Sequence, residues 1–371
     1  MIEPGDPRAQ RLRDLLREVV PGNRFYARKF AGLDLGNPAG LPFTTKAELA
    51  DDQAAHPPYG TDLTYPRERY CRLHQTSGTS SGRPLRWLDT PESWDWLLDC
   101  WGAIFARLDL RPGDVFYFAF SFGPFLGFWT AFEAAARAGY LVLPGGGLTS
   151  TARLRYLLEH QATVVCCTPT YALHLAELAA EEKIDLAGSP VRMLIVAGEP
   201  GGSIPATRER IEKVWGARVI DHYGMTEVGP VAVEPANRPG AQIVLEDHYI
   251  AEVLDPDGTR PAADGEVGEL VLTNLGRVGS PLIRYRTGDM VKARRVPAGE
   301  LLLEGGILGR TDDMIHVRGN NLYPGAIEAV VRRFPEVAEF RILVDRTGAL
   351  ADLSVEIEPT DGARTAGLAE A

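Results

Sequence analysis

Lysine is what this chain most plainly does without. The 39 basic residues among its 371 include five lysines, at positions 29, 46, 183, 213 and 292, and every lysine or arginine position after Lys292 is an arginine. An arginine fork does not replace a compact ammonium. Cysteine is as scarce: Cys71, Cys100, Cys166 and Cys167 show no zinc spacing and no disulfide framework. Adjacent Cys166 and Cys167 lie in an apolar run, where cysteine acts as a small hydrophobe. Long apolar runs are missing too. Stretches such as Val115 to Phe120 are far too short to cross a bilayer. Met1 to Pro7 is polar and is followed by an Arg-bearing, helix-like Ala9 to Val20, so no secretory leader is expected. There is no internal repeat and no low-complexity linker. These absences predict a reduced, cytoplasmic protein that does not engage membranes. The formal net charge of −11 argues against nucleic acid as a partner, although an acidic surface can still hold a local phosphate pocket. A homodimer is left open.

What is present is a texture that changes twice along the chain. Residues 8–35 read as helical, and Leu41-Pro-Phe-Thr-Thr-Lys46 as a turn with Thr44 or Thr45 capping the next helix. A Trp-rich helix is expected over 91–108 and a strand over 115–120. Apolar strands at 140–144, 163–167, 191–197 and 217–220 then alternate with helices at 124–138, 151–160, 170–183 and 203–215. That alternation predicts a mostly parallel sheet covered by helices on both faces. Beyond Gly229, strands at 242–254, 266–273, 282–294 and 301–308 are separated by turn sequences and predict a β-rich subdomain. Near Arg310 a third texture begins: a strand, a helix over 324–333, strands over 338–344 and 351–358, and a weak helix over 361–371. The expected fold is α/β. A large domain, 1–309, contains the mostly parallel sheet and a β-rich subdomain of about 230–309, and a small α+β domain over 310–371 is incomplete.

Five segments carry chemistry. Thr76, Ser77, Gly78, Thr79, Ser80, Ser81, Gly82 and Arg83 form a loop of hydroxyls, flexible glycines and one cation, suited to phosphate oxygens. It lacks the lysine and spacing of a P-loop, and alone it reads equally well as a surface loop. Asp221, His222, Tyr223, Gly224, Met225, Thr226 and Glu227 offer a flat ring for a purine, a hydroxyl and an oxygen ligand for Mg²⁺; the bland alternative is a strand-to-loop turn. Gly198, Glu199 and Pro200 follow a predicted parallel strand, at the end where ligands of such sheets bind. Asp289, in Tyr-Arg-Thr-Gly-Asp, is placed to accept from two ribose hydroxyls, or it belongs to an ordinary turn. The Arg310-Thr-Asp-Asp and Arg318-Gly-Asn patterns fall where a hinge would lie.

In this order the segments resemble the adenylate-forming superfamily of acyl-CoA synthetases, adenylation domains and luciferases. The likeness is strongest to the phenylacetate–CoA ligase branch, through Leu41-Pro-Phe-Thr-Thr-Lys46, Arg72-Leu-His-Gln-Thr-Ser-Gly78, Cys167-Thr-Pro169, Ala197-Gly-Glu-Pro200, Glu246-Asp-His-Tyr249 and Gly265-Glu-Val-Gly-Glu-Leu270. It runs over roughly residues 10 to 360. The resemblance implies ATP-dependent conversion of a carboxylic acid to an acyl-adenylate, with Mg²⁺, followed by thioester formation with coenzyme A. By that likeness Tyr223 stacks on adenine, Gly198, Glu199, Pro200 and His222 line the nucleotide and acyl sites, and Asp289 holds the ribose. Thr226, Glu227 and Arg310 are the catalytic candidates, with Glu227 the metal ligand. Asp312 would be the hinge and Gly319 would approach the pantetheine. Phe120, Phe122, Gly123 and Phe125 make a wall for an aryl or other apolar acid, or simply core.

Three departures accompany the likeness. The phosphate loop is one residue longer than the usual Ser-Gly-Thr-Thr-Gly-Lys and ends in Arg83. Pro235 stands where some relatives carry a metal-binding cysteine, so no structural zinc is expected. Relatives carry a late lysine that neutralises the reacting carboxylate and α-phosphate, whereas none follows Lys292 here. A truncated or weakly active adenylating protein is therefore an alternative expectation. Another is a relative that hands its adenylate to an amine, hydroxyl or carrier thiol.

Overall fold

The computed structural model describes residues 7–37, 40–76, 78, 84–255, 258, 260–297, 299–311, 315–317, 320–322, 324–334, 336–345 and 352–359. The expected first helix is two, α1 (Pro7–Gly22) and α2 (Arg24–Lys29). Asn23 makes the break: its side chain accepts from the Tyr26 amide at 3.1 Å, capping α2, and donates to Asp62 at 2.8 Å. A Cβ at Gly22 would fall 2.4 Å from the Thr64 carbonyl oxygen, so only glycine allows this approach. α3 (Lys46–Ala55) opens with a capping box between Thr45 and Glu48. Thr44, the other candidate cap, is buried and bridged to Tyr285 instead.

A hairpin of β1 (Arg72–Gln75) and β2 (Arg86–Asp89) precedes α4 (Pro91–Phe105), which Thr90 caps. The alternating region follows as β3 (Val115–Phe118), α5 (Trp129–Arg137), β4 (Leu141–Pro144), α6 (Ser150–Glu159), β5 (Val164–Cys167), α7 (Pro169–Glu181), β6 (Met193–Val196), α8 (Pro205–Trp215) and β7 (Arg218–Met225). β5 and β6 are buried at every position, as strands covered on both faces must be. Cys166 and Cys167 serve there as core hydrophobes.

The later strands are β8 (Gly229–Val233), β9 (Ala241–Val244), β10 (Tyr249–Leu254), β11 (Val267–Asn274), β12 (Tyr285–Arg295) and β13 (Leu301–Arg310). Hydrogen bonding joins them to the parallel strands in one 11-stranded sheet, ordered β10-β11-β12-β13-β9-β8-β7-β6-β5-β3-β4. β7 is the splice. Arg218 to Asp221 pair in parallel with β6, while His222 to Met225 pair antiparallel with β8. The strand expected to stop at Ile220 thus runs through the Asp221–Met225 segment, because β8 folds back to satisfy its backbone groups. Beyond β13 lie a hairpin of β14 (Ile315–Val317) and β15 (Asn320–Leu322), then α9 (Pro324–Val331) and a hairpin of β16 (Val337–Asp345) and β17 (Asp352–Pro359). Among the described residues no helix is long and apolar enough to cross a membrane. The expected helix over 361–371 lies outside the described residues.

Candidate active site

Side chains alternate along β7, and the alternation sorts the motif. Asp221 turns toward Ser203 and Gln242, bonded to both, the latter at 2.8 Å. His222 points to the opposite face, its ring 4.5 Å from that of Trp101 on α4. Tyr223 returns to the first face, where its hydroxyl donates to Asp289 at 2.6 Å. Asp289 faces Arg310 across the β12–β13 ladder, and the guanidinium donates to it at 2.7 Å.

Glu227, on the turn from β7 to β8, is nearly buried and accepts from the Tyr285 hydroxyl at 3.1 Å. The Lys46 ammonium lies 3.8 Å from the same carboxylate oxygen. Thr44 brings that lysine in: its amide donates to the Arg284 carbonyl and its carbonyl accepts from Arg286, each at 2.9 Å, fastening the 41–46 turn to the start of β12. A lysine in the first turn of α3 gains nothing from the helix dipole, so its position there serves the site and not the helix. Behind the turn lies a fully buried ion pair. Arg277 donates to both carboxylate oxygens of Asp89 at 2.6 Å, and to the carbonyls of Thr226 and Glu227 at 2.9 and 3.0 Å. The guanidinium holds the Thr226–Glu227 turn by its backbone.

Lys46, Trp101, His222, Glu227 and Arg310 from these groups line a cavity of about 620 Å³. Of the residues singled out from sequence, Thr76, Phe120, Phe125, Gly198, His222, Gly224, Met225, Thr226, Glu227 and Arg310 line it. Phe120 packs edge-on against Phe125 and Phe128, and Phe128 lies beside Trp101, so one aromatic wall runs on to His222. Thr226 accepts from the Leu126 amide at 3.3 Å and ties that wall to the motif. Gly198 adopts φ +94°, where a side chain is strained.

Other candidates are near the cavity without lining it. Tyr223 and Asp289 are engaged with each other behind it, and Gly78, Glu199 and Pro200 do not line it either. Asp221 does not line the cavity either; its carboxylate is bonded to Ser203 and Gln242. Two members of the expected acid wall, Phe122 and Gly123, do not line the cavity. Phe122 packs on Trp129 and Phe132, and the Gly123 carbonyl accepts from Trp129 at 3.1 Å. Ser77, Thr79, Ser80, Ser81, Gly82, Arg83, Asp312 and Gly319 lie outside the described residues.

Burial sets the electrostatics. It pushes the Asp289 carboxyl up to about 6 against the opposing pull of Arg310. It holds the His222 imidazole down to about 4, so the ring is neutral at pH 7. The Tyr223 hydroxyl is raised well above its ordinary value by burial and by Asp289, and stays a donor.

Residues 96–276 match the family model described as AMP-binding enzyme, and 319–370 match the AMP-binding enzyme C-terminal domain. The phenylacetate-coenzyme A ligase of Thermus thermophilus is 32% identical over 95% of this chain and 80% of its own length. That of Escherichia coli K12 is 32% identical over 96% and 82%. The chain belongs to the AMP-binding enzyme family, in its phenylacetate-coenzyme A ligase branch. A crystal structure of 2-hydroxyisobutyryl-CoA ligase in the postadenylation state with 2-HIB-AMP is 29% identical, with a TM-score of 0.89 over 100% of this chain and 86% of that one. The same ligase in the thioesterification state, with 2-HIB-AMP and CoA, fits less well, at 0.79.

For an AMP-binding enzyme, the residues that sequence reasoning passed over are informative. Lys46 and Thr168 were read only within segments of the resemblance, Trp101 only as part of a Trp-rich helix, and Thr130 and Arg277 were given no role. Trp-rich α4 was the one available signal, since indoles with a polar edge are expensive to bury without a partner.

Proposed function

We propose that this chain uses ATP to activate an apolar, aryl-type carboxylic acid as its acyl-adenylate and then passes the acyl group to the thiol of coenzyme A. The observation that carries this reading is a single cavity of about 620 Å³ whose lining joins the aromatic wall to Lys46, Thr76, Thr226, Glu227 and Arg310. Its size is ordinary for a ligand pocket. In the first step a carboxylate oxygen bonds to the α-phosphorus as the bond to the bridging oxygen breaks, and pyrophosphate leaves with the electron pair. Two anions must meet, so fixed cations at the meeting point lower the barrier. Lys46 and Arg310 supply them, and Lys46 gives the site an ammonium despite the absence of any lysine after Lys292. In the second step the coenzyme A thiolate adds to the acyl carbonyl and AMP departs.

Glu227 fits a Mg²⁺ ligand. One of its oxygens takes the Tyr285 hydroxyl, and the other has no hydrogen-bond partner among the described residues. Mg²⁺ is ordinarily held by one or two carboxylates, with phosphates and waters completing its shell. Bound there, the ion would offset charge on the departing phosphates. Asp289 accepts from the ribose, sharing its oxygens with Tyr223 and Arg310, and Tyr223 and Gly198 border the base. The better fit to the postadenylation state supports an adenylation-side arrangement, with the 310–371 domain turning about Asp312 before thioester formation. The four cysteines are unpaired, which supports a cytoplasmic setting.

Acid-dependent exchange of labelled pyrophosphate into ATP tests the first step, and thioester formation on adding coenzyme A tests the second. A chain that binds ATP but shows no exchange with any acid would overturn the reading.

A further inference from the structure

The aromatic side of the cavity holds a side-chain nitrogen, on His222, to which no described residue donates. The His222 side chain is 7% exposed and lines the cavity. Its Nδ1 lies 2.9 Å from the Ala232 carbonyl oxygen. A carbonyl only accepts, so Nδ1 carries the proton and Nε2 presents a bare lone pair. No described residue donates to Nε2. The ring is fixed from behind: Trp101 lies 4.5 Å away, and the Trp101 indole donates to the Thr130 hydroxyl at 2.9 Å. In front of it stands Gly224, also in the cavity wall. A Cβ there would sit 3.3 Å from Nε2, so the glycine leaves the approach to the lone pair open.

An oriented acceptor among Trp101, Phe120, Phe125 and Phe128 discriminates between ligands. A hydrocarbon filling this space would displace water from Nε2 and leave the acceptor unpaired, whereas a hydroxyl or amino hydrogen would satisfy it. We infer that the acid carries a neutral O–H or N–H group on its acyl portion which donates to His222 Nε2, making the substrate a hydroxy- or amino-substituted carboxylic acid. The inference rests on the acid-activation reading above and narrows its substrate class. His222 is a specificity-determining residue in this scheme, since it touches the acyl group away from the reacting carboxylate.

The test compares three matched sets of aryl acids: unsubstituted, hydroxylated or aminated at successive positions, and O-methylated or N,N-dimethylated at those positions. Pyrophosphate exchange is measured with the wild-type chain and with His222→Phe, which keeps a ring and removes the acceptor. The expected result is a kcat/KM advantage of about tenfold to a hundredfold for one donor-bearing acid over both its unsubstituted and its methylated partner. Hydroxyl and amino members of the series identify which donor is used. In His222→Phe that ratio should fall to about one. Equal rates for donor-bearing and methylated acids, or a preference unchanged in His222→Phe, would overturn the inference. Wild-type comparison alone decides the case if the variant does not fold. Should no acid support exchange, binding of the same acids is followed by Trp fluorescence. A donor preference in binding would uphold the inference while the catalytic reading fails, and its absence would end both.

Discussion

His222 and Tyr223 are consecutive residues that point to opposite faces of β7, and of the two only His222 lines the cavity. His222 faces an aromatic wall assembled from α4 and the segment after β3, where contacts are ring on ring and one lone pair is left open. Tyr223 faces Asp289 and Arg310, where every oxygen is bonded and charges are paired. On the proposed reading, the half of the site that meets phosphate and ribose is tied down by ion pairs, and the half that meets the variable part of the substrate by shape. Changing a residue in the first half should cost turnover or stability, while changing one in the second should alter which acid is used.

The sharpest way to break that contrast is at Arg277. Arg277→Met leaves the Asp89 carboxylate buried without its partner and releases the carbonyls of Thr226 and Glu227. A loss of about 3–5 kcal/mol in urea unfolding is expected. Removing both charges with Asp89→Leu and Arg277→Met together should cost less than Arg277→Met alone. A double variant worse than the single would show that the pair is not acting as a unit. Next in size is Glu227→Gln, which keeps the bond to Tyr285 and removes the charge. Pyrophosphate exchange should fall about 100- to 1,000-fold, with the melting temperature little changed. Turnover near that of the wild type would remove Glu227 from metal binding.

The two halves also carry opposite pH signatures. Asp289, raised to about 6 from an ordinary 3.8, binds its proton more readily when folded. Its contribution to stability is therefore complete below 3.8 and is lost as pH rises through 6. His222, lowered to about 4 from 6.5, resists protonation when folded, so its contribution is present above 6.5 and is lost as pH falls through 4. In the wild type the two slopes oppose each other across pH 4–6. Asp289→Asn should expose a stability that rises with pH through that window, and His222→Phe one that falls. Urea melts at pH 4, 5, 6 and 7 check both signs, and parallel profiles for the two variants would refute the assignment.

The contrast also explains what could be read from the chain. Thr226, Glu227 and Arg310, which line the cavity, and Tyr223 and Asp289, which bond to each other beside Arg310, all stand in short local patterns that could be singled out from sequence, and the alternating apolar strands announced the covered sheet. The continuation of β7 through Met225 was hidden because the β8 pairing that sustains it lies beyond the motif itself. Lys46 and Arg277 were hidden for a related reason. Each reaches the Thr226–Glu227 turn from a distant segment, one held through Thr44 to the start of β12 and the other paired with Asp89 at the end of β2. Phe122 and Phe125 looked equivalent in sequence; both pack on Phe120, but Phe122 also packs on Trp129 and Phe132 and only Phe125 lines the cavity.

The smallest effect should come from Thr130→Val, at an uncharged residue of the cavity wall whose hydroxyl accepts from the Trp101 indole. The change leaves the buried Trp101 N–H without its acceptor and should cost about 1–3 kcal/mol of stability. Its more telling consequence is on selectivity. Trp101 is the surface against which the His222 ring is set, so a freed indole lets that ring move and blurs the direction of its lone pair. Pyrophosphate exchange with an acid lacking a donor should be nearly unaffected, while any preference for the donor-bearing partner shrinks severalfold. A uniform decline for both acids would mean that Thr130 supports the fold alone, and the acyl half would then owe its selectivity to shape without an oriented acceptor.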